Sequence, residues 1–139
     1  MGERAYAGHL IYTAYETQYL TQIPLDPDPR VPDNRFLLIR VNVVNSGGEE
    51  AVAPAMTIED EMGKTYEELS DGRGVPQWIT YIRTIKPGSS VQGWAVFDAP
   101  PKHYKLRAHD EVSDRYVLID VPLTYGSENP DIALPAPKQ

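Results

Sequence analysis

Apolar and polar side chains alternate with a period of two residues in three stretches of the chain. These stretches are residues 35–45, 91–98 and 116–123, and turn-forming residues bound the first two. The apolar row of the first stretch consists of Leu37, Ile39, Val41 and Val43. A helix would scatter such a row around its axis, whereas a strand keeps it on one face. The pattern therefore predicts three β-strands that line a common core.

Weaker signals predict five more strands, which cover residues 8–20, 51–59, 64–69, 78–85 and 104–110. Residues 61–64 are predicted to form a hairpin turn, because Gly63 can adopt the positive φ that such a turn needs. No stretch has a clear helical period. About eight short strands without intervening helices predict an all-β fold, and more specifically an Ig-like antiparallel β-sandwich of about seven to nine strands.

The length of 139 residues suits a single domain. We assign residues 1–123 to one Ig-like β-sandwich domain and residues 124–139 to a Pro-rich C-terminal tail. Two loops are also predicted. Residues 24–32 contain four prolines and should form a stiff surface loop, and residues 70–77 contain two glycines and a proline.

Composition excludes several classes of function. The chain has 13 basic and 20 acidic residues and a formal net charge of −7, which argues against binding to nucleic acid or to anionic membrane surfaces. Because cysteine is absent, disulfides, thiolate metal sites and cysteine nucleophiles are excluded. The longest apolar runs are only strand-sized, so we expect no direct membrane insertion of this chain.

An ordered set of motifs resembles a known family. The motifs are FLLIRVNVVNSG at residues 36–47, MTIEDEMGKTY at 56–66, KPGSSVQGWAVFDAP at 86–100, and a strand pair at 104–109 and 116–123. In this order, they resemble a bacterial Ig-like family of unknown function. That family occurs in secreted proteins and lipoproteins and is related to the mycobacterial immunoprotective extracellular protein. The resemblance spans about residues 8–123.

The resemblance implies an Ig-like fold and an extracytoplasmic location, either secreted or lipid-anchored, with a leader that this chain lacks. The residues by themselves leave a cytoplasmic location open. Because the family has no agreed activity, the resemblance implies a fold and a location more than a reaction. Three segments have no counterpart in the family pattern, namely residues 24–32, 78–85 and 124–139.

Catalytic motifs are absent from the sequence. It contains no Gly-x-Ser-x-Gly, His-Glu-x-x-His or Walker-type loop. No motif therefore supports a hydrolase, zincin or nucleotide-binding function. His103 and His109 flank a predicted strand, which would separate them by roughly 20 Å, too far to share one metal ion. We therefore expect a protein that is not an enzyme and that uses no cofactor.

Acidic residues offer one alternative chemistry. Asp26, Asp28 and Asp33 lie in or beside the Pro-rich loop, and calcium prefers several oxygen ligands that converge from loops. They lack the spacing of an EF-hand loop. A calcium- or small-ligand-binding function through this loop is the alternative hypothesis.

Apolar side chains also occupy the outward faces of the three strong strands. The predicted interaction face consists of Phe36, Leu38, Trp94, Val96 and Leu118. An outward face is usually polar, and a large apolar patch requires a cover. The cover could be the chain itself, through residues 8–20 or through Ile132 and Leu134 of the tail. It could also be another protein or a second copy in a homodimer.

The leading hypothesis joins these observations. The chain is predicted to be a noncatalytic extracytoplasmic Ig-like module for binding or scaffolding, which acts through protein–protein contacts. The partner is a protein of unknown identity, or a second copy of the chain.

Overall fold

Ten β-strands make up the regular structure of the computed structural model, which describes residues 3–79, 83–109 and 116–121. The strands are β1 (Glu3–Ala7), β2 (Leu10–Leu20), β3 (Phe36–Asn45), β4 (Ala51–Ala53), β5 (Thr57–Asp60), β6 (Thr65–Glu67), β7 (Arg83–Ile85), β8 (Ser90–Asp98), β9 (Tyr104–His109) and β10 (Tyr116–Asp120). Within these described segments, no helix is long and apolar enough to cross a membrane.

Two four-stranded sheets and one small ribbon contain all ten strands. The first sheet has the order β1-β2-β3-β8, the second sheet has the order β10-β9-β5-β6, and β4 pairs with β7 in the ribbon. Every pair of neighbouring strands is antiparallel. The predicted all-β fold and antiparallel sandwich are confirmed, with ten described strands rather than seven to nine.

Two strands exceed the predicted eight: one arises where a predicted strand divides, and the other, β1, was not predicted. The region predicted at 51–59 becomes β4 and β5, which belong to different sheets, because Pro54 interrupts the strand and cannot donate a ladder hydrogen bond. An unpredicted strand, β1, pairs with β2 across a turn in which Gly8 has a φ of 64°.

Some predicted boundaries fall outside the described residues. Of the strand predicted at 78–85, residues 83–85 form β7, residues 78–79 lie in a loop outside the named strands, and residues 80–82 lie outside the described residues. The end of the strand predicted at 116–123 and the whole tail, including Ile132 and Leu134, also lie outside.

The main core fills the space between the two sheets. The period-two row predicted in β3 faces inward, and Leu37, Ile39, Val41 and Val43 are all buried. Ala95 and Phe97 of β8 face the same core. From the second sheet, Leu106 and Ile119 pack against them.

Two turns fix the second sheet. The hairpin between β5 and β6 is confirmed, and Gly63 has a φ of 88°. At the start of β9, the hydroxyl of Tyr104 donates to the carbonyl oxygen of Pro100, four residues upstream. This contact has the form of the tyrosine corner of Greek-key sandwiches, in which a tyrosine fixes the turn into a strand.

Candidate functional site

The apolar residues predicted to share one interaction face are divided between two surfaces. Phe36, Leu38, Trp94 and Val96 lie on the outer side of the first sheet and are buried, whereas Leu118 lies on β10 of the second sheet and is 43% exposed. The five residues of the predicted interaction face therefore do not form one surface, and the four on the first sheet are buried. β3 and β8 are neighbours, as that prediction assumed, but the chain itself covers them.

A loop of the chain, residues 69–79, forms this cover. Beneath it lies an outer apolar layer, which consists of Leu20, Ile23, Phe36, Leu38, Trp94 and Val96. Leu69, Val75 and Trp78 of the cover pack against this layer. The cover is thus not residues 8–20, and the tail, the other cover considered from the sequence, lies outside the described residues.

Arg30 ties the cover to the Pro-rich loop. Its guanidinium donates one hydrogen bond to the carbonyl oxygen of Arg73 and another to that of Asp71, both at 2.8 Å. The same group lies 5.4 Å from the centre of the Phe36 ring, in cation–π geometry. The two loops therefore form one interlocked unit over the outer apolar layer.

The cover approaches the sheet closely at Gly93. A Cβ atom at this position would collide with the carbonyl oxygen of Gln77 and with the backbone of Ile79. Trp78 makes a parallel bridge with Trp94 at the same place. Glycine at position 93 thus allows the backbone of the cover to lie against β8.

A buried ion pair joins the two ends of the loop that contains the cover. Glu68 precedes the cover, Arg83 follows it, and both side chains are fully buried. One carboxylate oxygen of Glu68 binds the Arg83 guanidinium, and the other accepts the amide of Met56 at 2.9 Å. Arg83 also donates to the carbonyl oxygen of Pro54 at 3.0 Å. Burial raises the pKa of the Glu68 carboxyl, and the charge of Arg83 opposes that shift.

The outer side of the second sheet carries the exposed apolar surface. Tyr116 and Leu118 are each 43% exposed on β10. The guanidinium of Arg107, on the neighbouring strand, lies 4.5 Å from the centre of the Tyr116 ring and binds Glu59 at 2.8 Å. The His109 ring lies 5.6 Å from the same tyrosine, and burial lowers the pKa of this histidine, with a smaller contribution from Arg107.

Next to this surface is an open cleft of about 300 Å³. Its lining residues are Glu59, Asp60, Glu61, His103, Tyr104, Lys105 and Leu118. The Asp60 carboxylate is held by the amides of Met62 and Lys64, both at 2.9 Å, and by Lys102. The hydrogen bond from the Lys64 backbone makes the largest contribution to the lowered pKa of Asp60.

Tyr104 is likewise occupied within the fold. Its hydroxyl is bound to Pro100, and burial raises the pKa of its phenol group. The two most buried polar side chains of the cleft, Asp60 and Tyr104, therefore serve to fix turns.

The candidate metal ligands are not brought together. Asp26, Asp28 and Asp33 are exposed, and across residues 3–79, 83–109 and 116–121 no three acidic or histidine side chains form a group that could hold a metal ion. The backbone around Asp33 is instead fixed by Asp98, whose carboxylate accepts the amide of Asp33 at 2.8 Å. The structure therefore does not group the three predicted ligands into a cluster.

A family model for a domain of unknown function, DUF4352, matches residues 1–121. The chain belongs to the DUF4352 family. The match covers both sheets, the cover and the ion pair at its ends, and it confirms the family resemblance seen in the sequence. No curated protein matches the chain.

Solved structures share the fold of this DUF4352 domain. The yjhA protein of Bacillus subtilis is 18% identical, with a TM-score of 0.64 over 88% of this chain and 98% of that one. MPT63, a secreted protein of Mycobacterium tuberculosis, is 17% identical, with a TM-score of 0.56 over 88% and 92%. A predicted lipoprotein of B. subtilis, ycdA, is 17% identical, with a TM-score of 0.60, but the match covers only 38% of that chain and 84% of this one.

Sequence reasoning missed the residues that hold the cover of this DUF4352 domain in place. Arg30 lies in a Pro-rich loop and Glu68 follows a short strand, and neither belongs to a motif. One available signal was Gly93, a glycine within an otherwise apolar strand, which often indicates that another backbone segment approaches closely.

Proposed function

We propose that this DUF4352 domain is a noncatalytic extracytoplasmic module that associates with a second copy of itself through the outer face of its second sheet. The observation that carries the proposal is the exposed pair Tyr116 and Leu118, with the Arg107 guanidinium stacked on the tyrosine. Tyrosine and arginine are enriched in protein interfaces, where they contribute much of the binding energy.

Charge on this face favours a second copy as the partner. Lys105 and Arg107 form a basic pair along β9, and Glu59 lies beside it on β5. A two-fold rotation would set the basic pair of one copy against Glu59 of the other. Such isologous pairing is the commonest arrangement in homo-oligomers.

A noncatalytic role is supported by the cleft beside this face. Asp60 and Tyr104 use their polar atoms to fix turns and are therefore poorly placed to act as a base or a nucleophile. An extracytoplasmic location is supported by the fold shared with the secreted MPT63 and with the predicted lipoprotein ycdA. Digestion by protease added to intact cells would test that location.

Light scattering after size-exclusion chromatography tests the association. We expect a mass near twice the 15.6 kDa of one chain and a shift to the monomer in Leu118→Glu. Val52→Glu is the matched control, because Val52 is also half-exposed, at 50%, but lies in the β4–β7 ribbon. A wild-type monomer at all concentrations up to about 100 μM would contradict the proposal, as would equal effects of the two variants.

A further inference from the structure

The cover occupies the edge of the first sheet in the manner of an added strand. β8 pairs with β3 along one side. On its other side, the amide of Trp94 donates to the carbonyl oxygen of Gln77 at 2.9 Å, and the amide of Ile79 donates to the carbonyl oxygen of Trp94 at 3.0 Å. The amide of Leu69 also reaches the carbonyl oxygen of Val96, at 2.8 Å. A peptide that extends a sheet edge uses main-chain hydrogen bonds of this kind.

This internal strand fits its place imperfectly. Gln77 has a φ of 58° and is the one residue other than glycine with a positive φ in the described part of the chain. The indole N–H of Trp78 is buried, and no hydrogen-bond acceptor for it exists among the described residues. Both features cost free energy that a better-fitting strand would avoid.

The surface below the cover has the chemistry of a binding site for an extended peptide. The outer apolar layer supplies apolar contacts, and Gly93 allows a second backbone to lie against β8. Gln18 is only 8% exposed, and its side-chain oxygen accepts no hydrogen bond within the described residues. Gln18 pairs with Leu38, which pairs with Val96, so its side chain lies on the same side of the sheet as the layer.

We propose that the β8 edge and the outer apolar layer form a docking site for an extended apolar segment of a partner protein, and that the cover is a displaceable internal occupant of this site. The site lies on the opposite sheet from the self-association face, so the inference goes beyond the proposed function. The cover is a loop with two glycines, held by Arg30, by a few backbone hydrogen bonds and by the buried side chains of Val75 and Ile79, so an incoming segment must replace these contacts.

Native-state hydrogen exchange tests whether the cover opens by itself. We expect the amides of Leu69 and Ile79 to exchange at least tenfold faster than the amides of Leu38 and Val41 in β3, with a weaker dependence on denaturant. Exchange of all four amides at one rate, with one denaturant dependence, would mean that the cover opens only when the domain unfolds. That result would overturn the proposal.

Peptide binding tests the docking site directly. The chain contains two tryptophans, Trp78 and Trp94, and both lie at the contact between the cover and β8. The probe is a synthetic peptide of residues 69–79 that carries the substitution W78F, so all tryptophan emission comes from the protein. We expect the peptide to shift this emission to longer wavelength, because it displaces Trp78 into water.

Two variants complete the binding experiment. Val75→Ala in the protein removes an apolar contact of the cover that the peptide keeps, so it should tighten peptide binding at least threefold. Arg35→Gln, at an exposed arginine outside the cover contacts described above, should leave the affinity unchanged. Equal affinity of the two variants, or no spectral change with either one at about 1 mM peptide, would overturn the proposal, and so would an equal response to a peptide of scrambled sequence.

Discussion

The carbonyl oxygen of Gln77 accepts the amide of Trp94 at 2.9 Å, directly above the one residue of that edge that lacks a side chain, Gly93. A methyl group at position 93 would meet both this oxygen and the backbone of Ile79. Backbone atoms cannot move aside as the end of a flexible side chain can. The close approach of the cover to β8 therefore requires glycine at position 93.

We therefore expect Gly93→Ala to lower the free energy of unfolding by about 1–3 kcal/mol, the usual cost of overpacking. Gly48→Ala is the control, because a Cβ atom there would meet nothing within 4 Å, and it should change the free energy by less than about 0.5 kcal/mol. Urea unfolding followed by circular dichroism measures both. Equal stability of the two variants would show that the cover does not press on β8.

The buried pair of Glu68 and Arg83 leads to a second prediction. Glu68→Gln should cost about 3–5 kcal/mol, because it leaves the charge of Arg83 buried without a counter-ion. The same substitution at Glu16, whose pair with Arg40 is about 40% exposed, should cost at most about 1 kcal/mol. Denaturant unfolding of both variants at neutral pH provides the comparison. A small effect at both positions would contradict the prediction.

Tyr104 offers a test of the turn between β8 and β9. Tyr104→Phe keeps the ring in the core but removes the hydrogen bond to the Pro100 carbonyl, so it should cost about 1–3 kcal/mol. Tyr6→Phe removes a hydroxyl from a tyrosine that is 60% exposed and should change stability by less than about 0.5 kcal/mol. Thermal and urea unfolding of the two variants would measure this difference.

Asp60 should make stability depend on acidic pH. Its pKa in the folded protein lies below the ordinary value of 3.8, because backbone amides and Lys102 bind the carboxylate. A lowered folded pKa means that the stabilisation is present above pH 3.8 and is lost as the pH falls through the folded pKa. The stability difference between wild type and Asp60→Asn should therefore shrink between about pH 5 and about pH 2.

The measurement must use that difference rather than the stability of the wild type alone. Burial raises the pKa of Glu68, and a carboxyl with a raised folded pKa favours folding more strongly as the pH falls. As the pH falls, the contribution of Glu68 to the free energy of unfolding therefore rises while that of Asp60 declines. A difference between wild type and Asp60→Asn that stays constant with pH would contradict the role assigned to Asp60.

The strong strands of the fold could be predicted because local pattern determines them. The alternating row from Leu37 to Val43 indicates a strand wherever one face meets a core, and the 61–64 turn requires a positive φ that Gly63 can adopt. The division at Pro54 was missed, because a proline shows that a strand is interrupted and does not show that the chain then enters another sheet.

The covered face shows why the site was harder to predict than the fold. The sequence indicated that Phe36 and Trp94 face outward, and they do lie on the outer side of the first sheet. What covers them depends on contacts between distant loops, such as that between Arg30 and Arg73, which are 43 residues apart. Loop contacts of this kind leave no periodic signal in the sequence.

The hydrogen bonds from Arg30 also have a consequence for transplanting loops between related domains. A chimera that transplanted residues 69–79 alone into a related sandwich would lack the arginine that binds the carbonyl oxygens of Asp71 and Arg73. A chimera that transplanted residues 24–32 alone would leave that arginine without its acceptors. The two loops, although far apart in the chain, therefore form one structural unit, and we expect a graft to need both.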